Sequence, residues 1–254
     1  MLVDTHIHLD AGAFEYDCEG VLAAARAAGV ERFVVPAVEV ANFDRVATLA
    51  AAHPDIRHAY GIHPLYVGAT GPEDLAILGE RLANGDAIAV GEIGLDFHVG
   101  DPDPGVQERF YIAQMKLAHR FGLPVLLHVR RAVDAILKQL RRIEVPGGIA
   151  HAFNGSRQQA DMLISMGFKL GFGGTMTFDG SRRIRELAAT LPLEALVLET
   201  DAPDIPPAWA QGARNEPQNL RRYAEVLAGL RRMTVADVIS ATGANARSVF
   251  GNRL

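Results

Sequence analysis

Residues 124–151 read Pro124-Val-Leu-Leu-His-Val-Arg-Arg-Ala-Val-Asp-Ala-Ile-Leu-Lys-Gln-Leu-Arg-Arg-Ile-Glu-Val-Pro-Gly-Gly-Ile-Ala-His151. The stretch holds a short apolar run (124–128), an amphipathic segment (132–141), a Pro-Gly-Gly break and a second apolar run (148–151). Runs this short and continuously hydrophobic are what parallel strands covered on both faces require. A strand, a helix and a second strand form one right-handed βαβ unit.

Working outward in both directions, the same alternation recurs. Strand-like runs fall at 2–8, 32–38, 57–62, 87–91, 124–128, 148–151, 169–172 and 196–201. Helical patterns lie between them at 19–28, 43–52, 72–82, 106–121, 132–141, 157–166 and 181–190, and Gly29, Gly122 and Gly167 follow three of these, where helix-ending glycines belong. Eight repeats predict an α/β fold, a (β/α)8 TIM barrel formed as one domain over residues 1–254. Residues 216–230 and 234–250 read as closing helices, and the Pro/Gly-bearing stretch 202–217 as a long loop over the barrel mouth.

The 254 residues are 49% hydrophobic and 22% charged, enough for one large core, and no apolar run approaches the ~20 residues that span a membrane. The start, with an acid and two histidines in nine residues, does not read as a signal peptide. A lone Cys18 suits a reducing compartment, so a cytoplasmic protein is expected. The net charge of −5 argues against holding long nucleic acid by backbone charge alone. Any polyanionic substrate must be gripped locally, by a few arginines and bound cations.

In such barrels the catalytic groups stand at the C-terminal strand ends. His6 and His8 end the first run, sharing its face with Asp4; His63 follows the third and Glu92 the fourth. His128, His151 and Asp201 end the fifth, sixth and eighth. Five of the nine histidines therefore collect at one end, while His53, His58, His98 and His119 lie in helical or loop contexts. Clustered imidazole and carboxylate without thiolate suits Zn, Mn, Fe or Mg. The six ligand-type residues, His6, His8, Glu92, His128, His151 and Asp201, are too many for one metal that keeps a position open. Two divalent ions sharing a carboxylate are the expected solution.

In chain order, Thr5-His-Ile-His, Gly61-Ile-His-Pro, Val90-Gly-Glu-Ile-Gly-Leu-Asp, His151-Ala-Phe-Asn-Gly-Ser, Leu198-Glu-Thr-Asp-Ala-Pro and Arg214-Asn-Glu-Pro resemble the TatD family of the amidohydrolase superfamily. The resemblance implies a metal-dependent hydrolase of the deoxyribonuclease type, with 3′-to-5′ exonuclease action on DNA. It implies one metal on His6, His8, Glu92 and Asp201 and a second on Glu92, His128 and His151, Glu92 bridging. It also implies that His63 faces the substrate phosphate and that Arg130 is a matching position. Arg131 replaces an acid found in DNase-like members, and Asn154 replaces serine. Arg131, together with Ala202-Pro-Asp-Ile-Pro, looks closer to a less characterised bacterial subgroup.

The expected mechanism has water activated by Mg, Mn or Zn, Asp201 as the base, and His63 and Arg130 stabilising charge, with Arg131 as a further substrate contact. DNA or a small phosphoester is the expected substrate, and no membrane or obligate protein partner is expected. Alternatives are hydrolysis of a small phosphoester, amide or lactone, and a non-catalytic scaffold stabilised by metal. Asp4 and Glu199 read as residues orienting ligands or as buried structural groups, Asp96 as an organiser of its loop, and Arg214 and Asn215 as loop anchors or phosphate contacts. The Arg182-Arg183-x-Arg185 cluster reads as a solvated helix start or a strand-binding contact. Phe97, Phe153, Phe178 and Trp209 are candidate stacking residues or loop core.

Overall fold

A computed structural model describes residues 1–98, 100 and 102–254. Among the described residues eight parallel strands alternate with helices: β1 (Leu2–Asp4), β2 (Val30–Pro36), β3 (Ile56–Ala59), β4 (Val90–Asp96), β5 (Val125–Arg130), β6 (Gly148–Ala150), β7 (Phe168–Phe172) and β8 (Leu196–Leu198). The helices are α1 (Cys18–Ala27), α2 (Phe43–Ala52), α3 (Pro72–Ala83), α4 (Pro104–Phe121), α5 (Val133–Leu140), α6 (Arg157–Ser165), α7 (Arg182–Thr190), α8 (Leu220–Arg231) and α9 (Val235–Phe250).

Pairing runs β1-β2-β3 and β4-β5-β6-β7-β8. Backbone bonds join the two arcs. Gly91 N–H donates to Tyr60 O at 2.9 Å on one seam, and Thr5 N–H to Leu198 O at 3.1 Å on the other. The ring is a (β/α)8 barrel. Its interior holds Val3, Val34, Ala59, Ala89, Leu126, Ile149 and Val197, with Ala246 and Phe250 of α9 packed against them. A larger apolar layer, including Phe33, Leu127, Phe168 and Phe172, lies between strands and helices. Burying each such side chain contributes ~1.5–3 kcal/mol.

Local signals set the helix ends. Asp103 caps α4, accepting from the amides of Gly105 and Val106, and α4 stops at Gly122, whose φ of 60° suits glycine. Ser156 and Gln159 form a reciprocal cap on α6.

Several boundaries depart from expectation. β4 runs on to Asp96, so Glu92 lies inside the strand rather than after it. β1, β6 and β8 are shorter than their apolar runs, and His6, His8, His151 and Asp201 stand just beyond them. Paired bonding fades where these polar side chains turn into the mouth. His58 lies in β3 and is buried, not in a helical or loop context. Among the described residues no helix is long and apolar enough to cross a membrane.

Candidate metal centre

The barrel mouth gathers the six expected ligand-type residues, with the carboxylate of Glu92 at their centre. Glu92 is 2% exposed. Its Oε2 lies 3.2 Å from His6 Nε2 and 3.5 Å from His8 Nε2. Its Oε1 lies 2.9 Å from both His128 Nδ1 and His151 Nε2. Asp201 Oδ1 closes the first group at 3.7 Å from His6 Nε2 and 3.6 Å from His8 Nε2. Within each group two imidazole nitrogens face each other at 3.3 Å. Donor atoms ~2.0–2.1 Å from a common ion stand ~3.0–3.4 Å apart, so the donor set and its spacing fit divalent cations.

Gly94 makes this approach possible. A Cβ on Gly94, which has a φ of 149°, would collide with the carbonyl of His128. Without it, β4 and β5 draw together and bring Glu92 beside His128.

The electrostatics describe a cation site filled with protons. Burial opposes ionisation of Glu92, but the imidazoles, His151 and His63 foremost, outweigh it and hold the carboxyl well below its usual range. Asp201 is lowered in the same way, by His151 and His8. Burial pushes His6 down to about 4, reinforced by His151 stacked 4.0 Å away. His151 and His8 are lifted against their own burial, to about 10 and about 9, by the carboxylates beside them. Metal binding to such a cluster displaces those protons.

Burial pushes His63 down to about 3, against the pull of Glu92. Its Nδ1 accepts from the Leu65 amide at 3.2 Å, so the neutral ring carries its proton on Nε2, which lies 3.5 Å from Glu92 Oε1. His63 thus stands in the cluster as a hydrogen-bond donor.

Asp96 does more than order its loop. Its Oδ1 accepts from the His98 amide at 2.9 Å, while its Oδ2 lies 3.2 Å from His128 Nε2. The alternation of β4 carried this signal, since positions 92, 94 and 96 share a face. Glu199 is buried, its Oε1 accepting from the Ala152 amide and lying 3.8 Å from His151 Nδ1. Burial pushes Glu199 up to about 8. Asp4 supports the site from beneath, accepting from the Thr200 amide at 2.9 Å and from the His6 amide at 3.4 Å.

The expected substrate contacts separate. Arg130 ends β5, its guanidinium 4.0 Å from Asp96, and lines a 340 Å³ cavity over His128, His151 and Asp201. Arg131 does not line that cavity; it lines a larger one of 860 Å³ beside it, together with Phe97 and Arg183. A third cavity, of 460 Å³, opens beside His8 and His63 and is bordered by Asp10, Glu39 and Asp204. Phe153 is buried, and Trp209 packs on Tyr223 and donates to Asn219 at 3.0 Å, so both are loop core. Arg214 pairs with Asp17 and Glu216, and Asn215 is fully buried; both anchor the mouth loop.

Residues 3–251 match the family described as TatD related DNase. The chain is 40% identical over 251 residues to the uncharacterized metal-dependent hydrolase YjjV of Escherichia coli (strain K12), covering 98% of this chain and 97% of that one. The crystal structure of that TatD homolog superposes with a TM-score of 0.95 at 39% identity, covering 98% of this chain and 97% of the other. A 3′-5′ ssDNA/RNA exonuclease TatD from Edwardsiella piscicida is 34% identical over 259 residues, covering 98% of this chain and 99% of that protein.

Proposed function

Since the chain belongs to the TatD-related DNase family of metal-dependent hydrolases, we propose that it is a phosphodiesterase acting on DNA by exonucleolytic cleavage with two divalent ions. The observation that carries this reading is the division of Glu92. One carboxylate oxygen faces His6 and His8, the other His128 and His151. His6, His8, Asp201 and Glu92 Oε2 would hold one ion, and His128, His151 and Glu92 Oε1 the other. The exonuclease named among the relatives supports the choice of substrate.

When bound, divalent ions such as Mg, Mn or Zn would supply a lowered water pKa, towards ~7, and polarisation of the bond to be cleaved. The side chains supply the rest. Asp201 presents Oδ1 to the histidines, and its second carboxylate oxygen receives the proton of the attacking water and returns it to the leaving oxygen. His63 Nε2–H and the Arg130 guanidinium donate to the non-bridging phosphate oxygens as charge builds there. A cytoplasmic setting accords with the single Cys18.

The test is turnover of 3′-labelled single-stranded DNA beside a panel of phosphomonoesters, amides and lactones, with Mg and with Mn, and metal content measured on the same protein. Release of the 3′ label as a single nucleotide, with two ions per chain, is expected. Turnover confined to the small esters or amides overturns the DNA reading.

A further inference from the structure

The 860 Å³ cavity beside the metal centre holds an excess of positive charge in a chain whose net charge is −5. Arg130, Arg131 and Arg183 line it, and among the described residues Asp134 is the one acid that does. Asp134 is engaged, accepting from Gln159 at 2.9 Å. Among the described residues neither Arg131 nor Arg183 is ion-paired, and Arg183 bonds only to Asn154. Unpaired guanidiniums sharing one concave wall are the side-chain chemistry that receives phosphate. Phe97 and Val129 add an apolar face to the same wall.

This cavity and the one over His128, His151 and Asp201 share Val129, Arg130 and Asn154. The two cavities are therefore neighbours along a common wall. On the opposite side of the centre the cavity beside His8 carries Asp10, Glu39 and Asp204 against the single Arg45. A polyanion leaving the metals is therefore attracted one way and repelled the other.

Resting on the phosphodiesterase reading, we propose that the Arg131 and Arg183 cavity is a second phosphate subsite, which holds the nucleotide adjoining the cleaved bond. The neighbouring phosphate lies on the two guanidiniums and the base lies against Phe97 and Val129. The volume falls within the ~300–1,000 Å³ of small-molecule sites and accommodates one nucleotide unit. Substrate choice then depends on a second phosphate rather than on a long basic track.

The test compares thymidine 3′,5′-bisphosphate with the two thymidine monophosphates by calorimetry, on wild type, Arg131→Asn and Arg183→Gln. Asn tolerates the left-handed backbone that residue 131 adopts, with a φ of 55°. Arg183→Gln also frees Asn154, so Arg131→Asn, which breaks no hydrogen bond among the described residues, decides the matter. Wild type is expected to bind the bisphosphate about tenfold or more tightly than either monophosphate, in keeping with charged hydrogen bonds. Arg131→Asn should bring that ratio below about threefold. A wild-type ratio near one, or a ratio untouched by Arg131→Asn, overturns the subsite. Thymidine dinucleotides with a 5′, a 3′ or no terminal phosphate are assayed in parallel. No turnover of any dinucleotide with the binding ratio intact overturns the phosphodiesterase reading and leaves the subsite standing. Turnover with no gain from either terminal phosphate does the reverse.

Discussion

Asp96 Oδ2 lies 3.2 Å from His128 Nε2, on the far side of the ring from Glu92 Oε1, which is 2.9 Å from Nδ1. With an ion on the cluster, Asp96 would keep the proton on Nε2 and leave the Nδ1 lone pair to face that ion. The His128 ring pulls Asp96 down to about 2 despite the burial of its carboxyl, so the partner is anionic. Carboxylates placed behind a ligating histidine typically contribute 10–100-fold in metal affinity. Asp96→Asn should weaken Mn binding by about that factor while the metal-free melting temperature moves little. Equal affinity in the two proteins, measured by titration, would remove the orienting role.

Asp201→Asn tests the proton acceptor. The amide keeps the size of the side chain and loses both a ligand charge and a base. At saturating metal, turnover should drop about 10²-fold or more, with circular dichroism unchanged. A variant that retains near-wild-type kcat would move the base elsewhere in the mouth.

The barrel was legible because its apolar runs are buried on both faces, and the clustering of six ligand-type side chains because these polar residues interrupt or end such runs. Strand limits were less so. Chemistry and pairing overlap at Glu92, where β4 continues past the metal-facing residue to Asp96. Local pattern also could not divide Arg130 from Arg131. They are adjacent in sequence and both line the larger cavity, but Arg130 also lines the one over His128, His151 and Asp201, while Arg131, with a left-handed backbone, does not. His58 falls within the third apolar run, 57–62, where its imidazole is a polar interruption of a strand that continues through it.

Gly94 and Gly20 should respond in opposite directions to alanine. At Gly94 the new methyl meets the His128 carbonyl, and neither strand can move without disturbing the metal cluster. A cost of about 3 kcal/mol or more is expected, with loss of metal binding. Gly20 lies within α1 and has open space around it, so Gly20→Ala should add ~0.5–1 kcal/mol through helix propensity. Urea melts of the two variants check both signs.

His58 supplies a pH test remote from the metals. Burial holds its pKa below the ordinary 6.5, against the attraction of Asp86 at 3.5 Å. The unfolded chain therefore takes up this proton first on acidification. The stability the site contributes is whole above about pH 6.5 and is lost as pH falls towards the folded value. Between about pH 7.5 and about pH 5.5 metal-free wild type should lose stability relative to His58→Gln. Parallel denaturation curves at every pH would show that His58 does not titrate as its burial requires.

Asn215 ties the mouth loop to the backbone beside Asp201, the proposed base. Its Nδ2 donates to Thr200 O at 2.7 Å and to Asp204 O at 3.0 Å. Its Oδ1 accepts from the Glu216 amide at 2.9 Å and from the Tyr223 hydroxyl at 3.1 Å. The carbonyl of Thr200 immediately precedes Asp201, whose backbone is left-handed with a φ of 57°. A non-glycine residue held in that conformation depends on neighbours that over-determine it. Asn215→Ala strips several buried partners at once, each costing ~1–3 kcal/mol when left unpaired, and frees the chain on both sides of Asp201. Protease cleavage within residues 202–217 should accelerate. The fall in kcat should exceed the fall in affinity for an ion held by the His128 group, which is anchored on β4 and β5. If both fall together, Asn215 holds the whole mouth rather than the loop that carries the base.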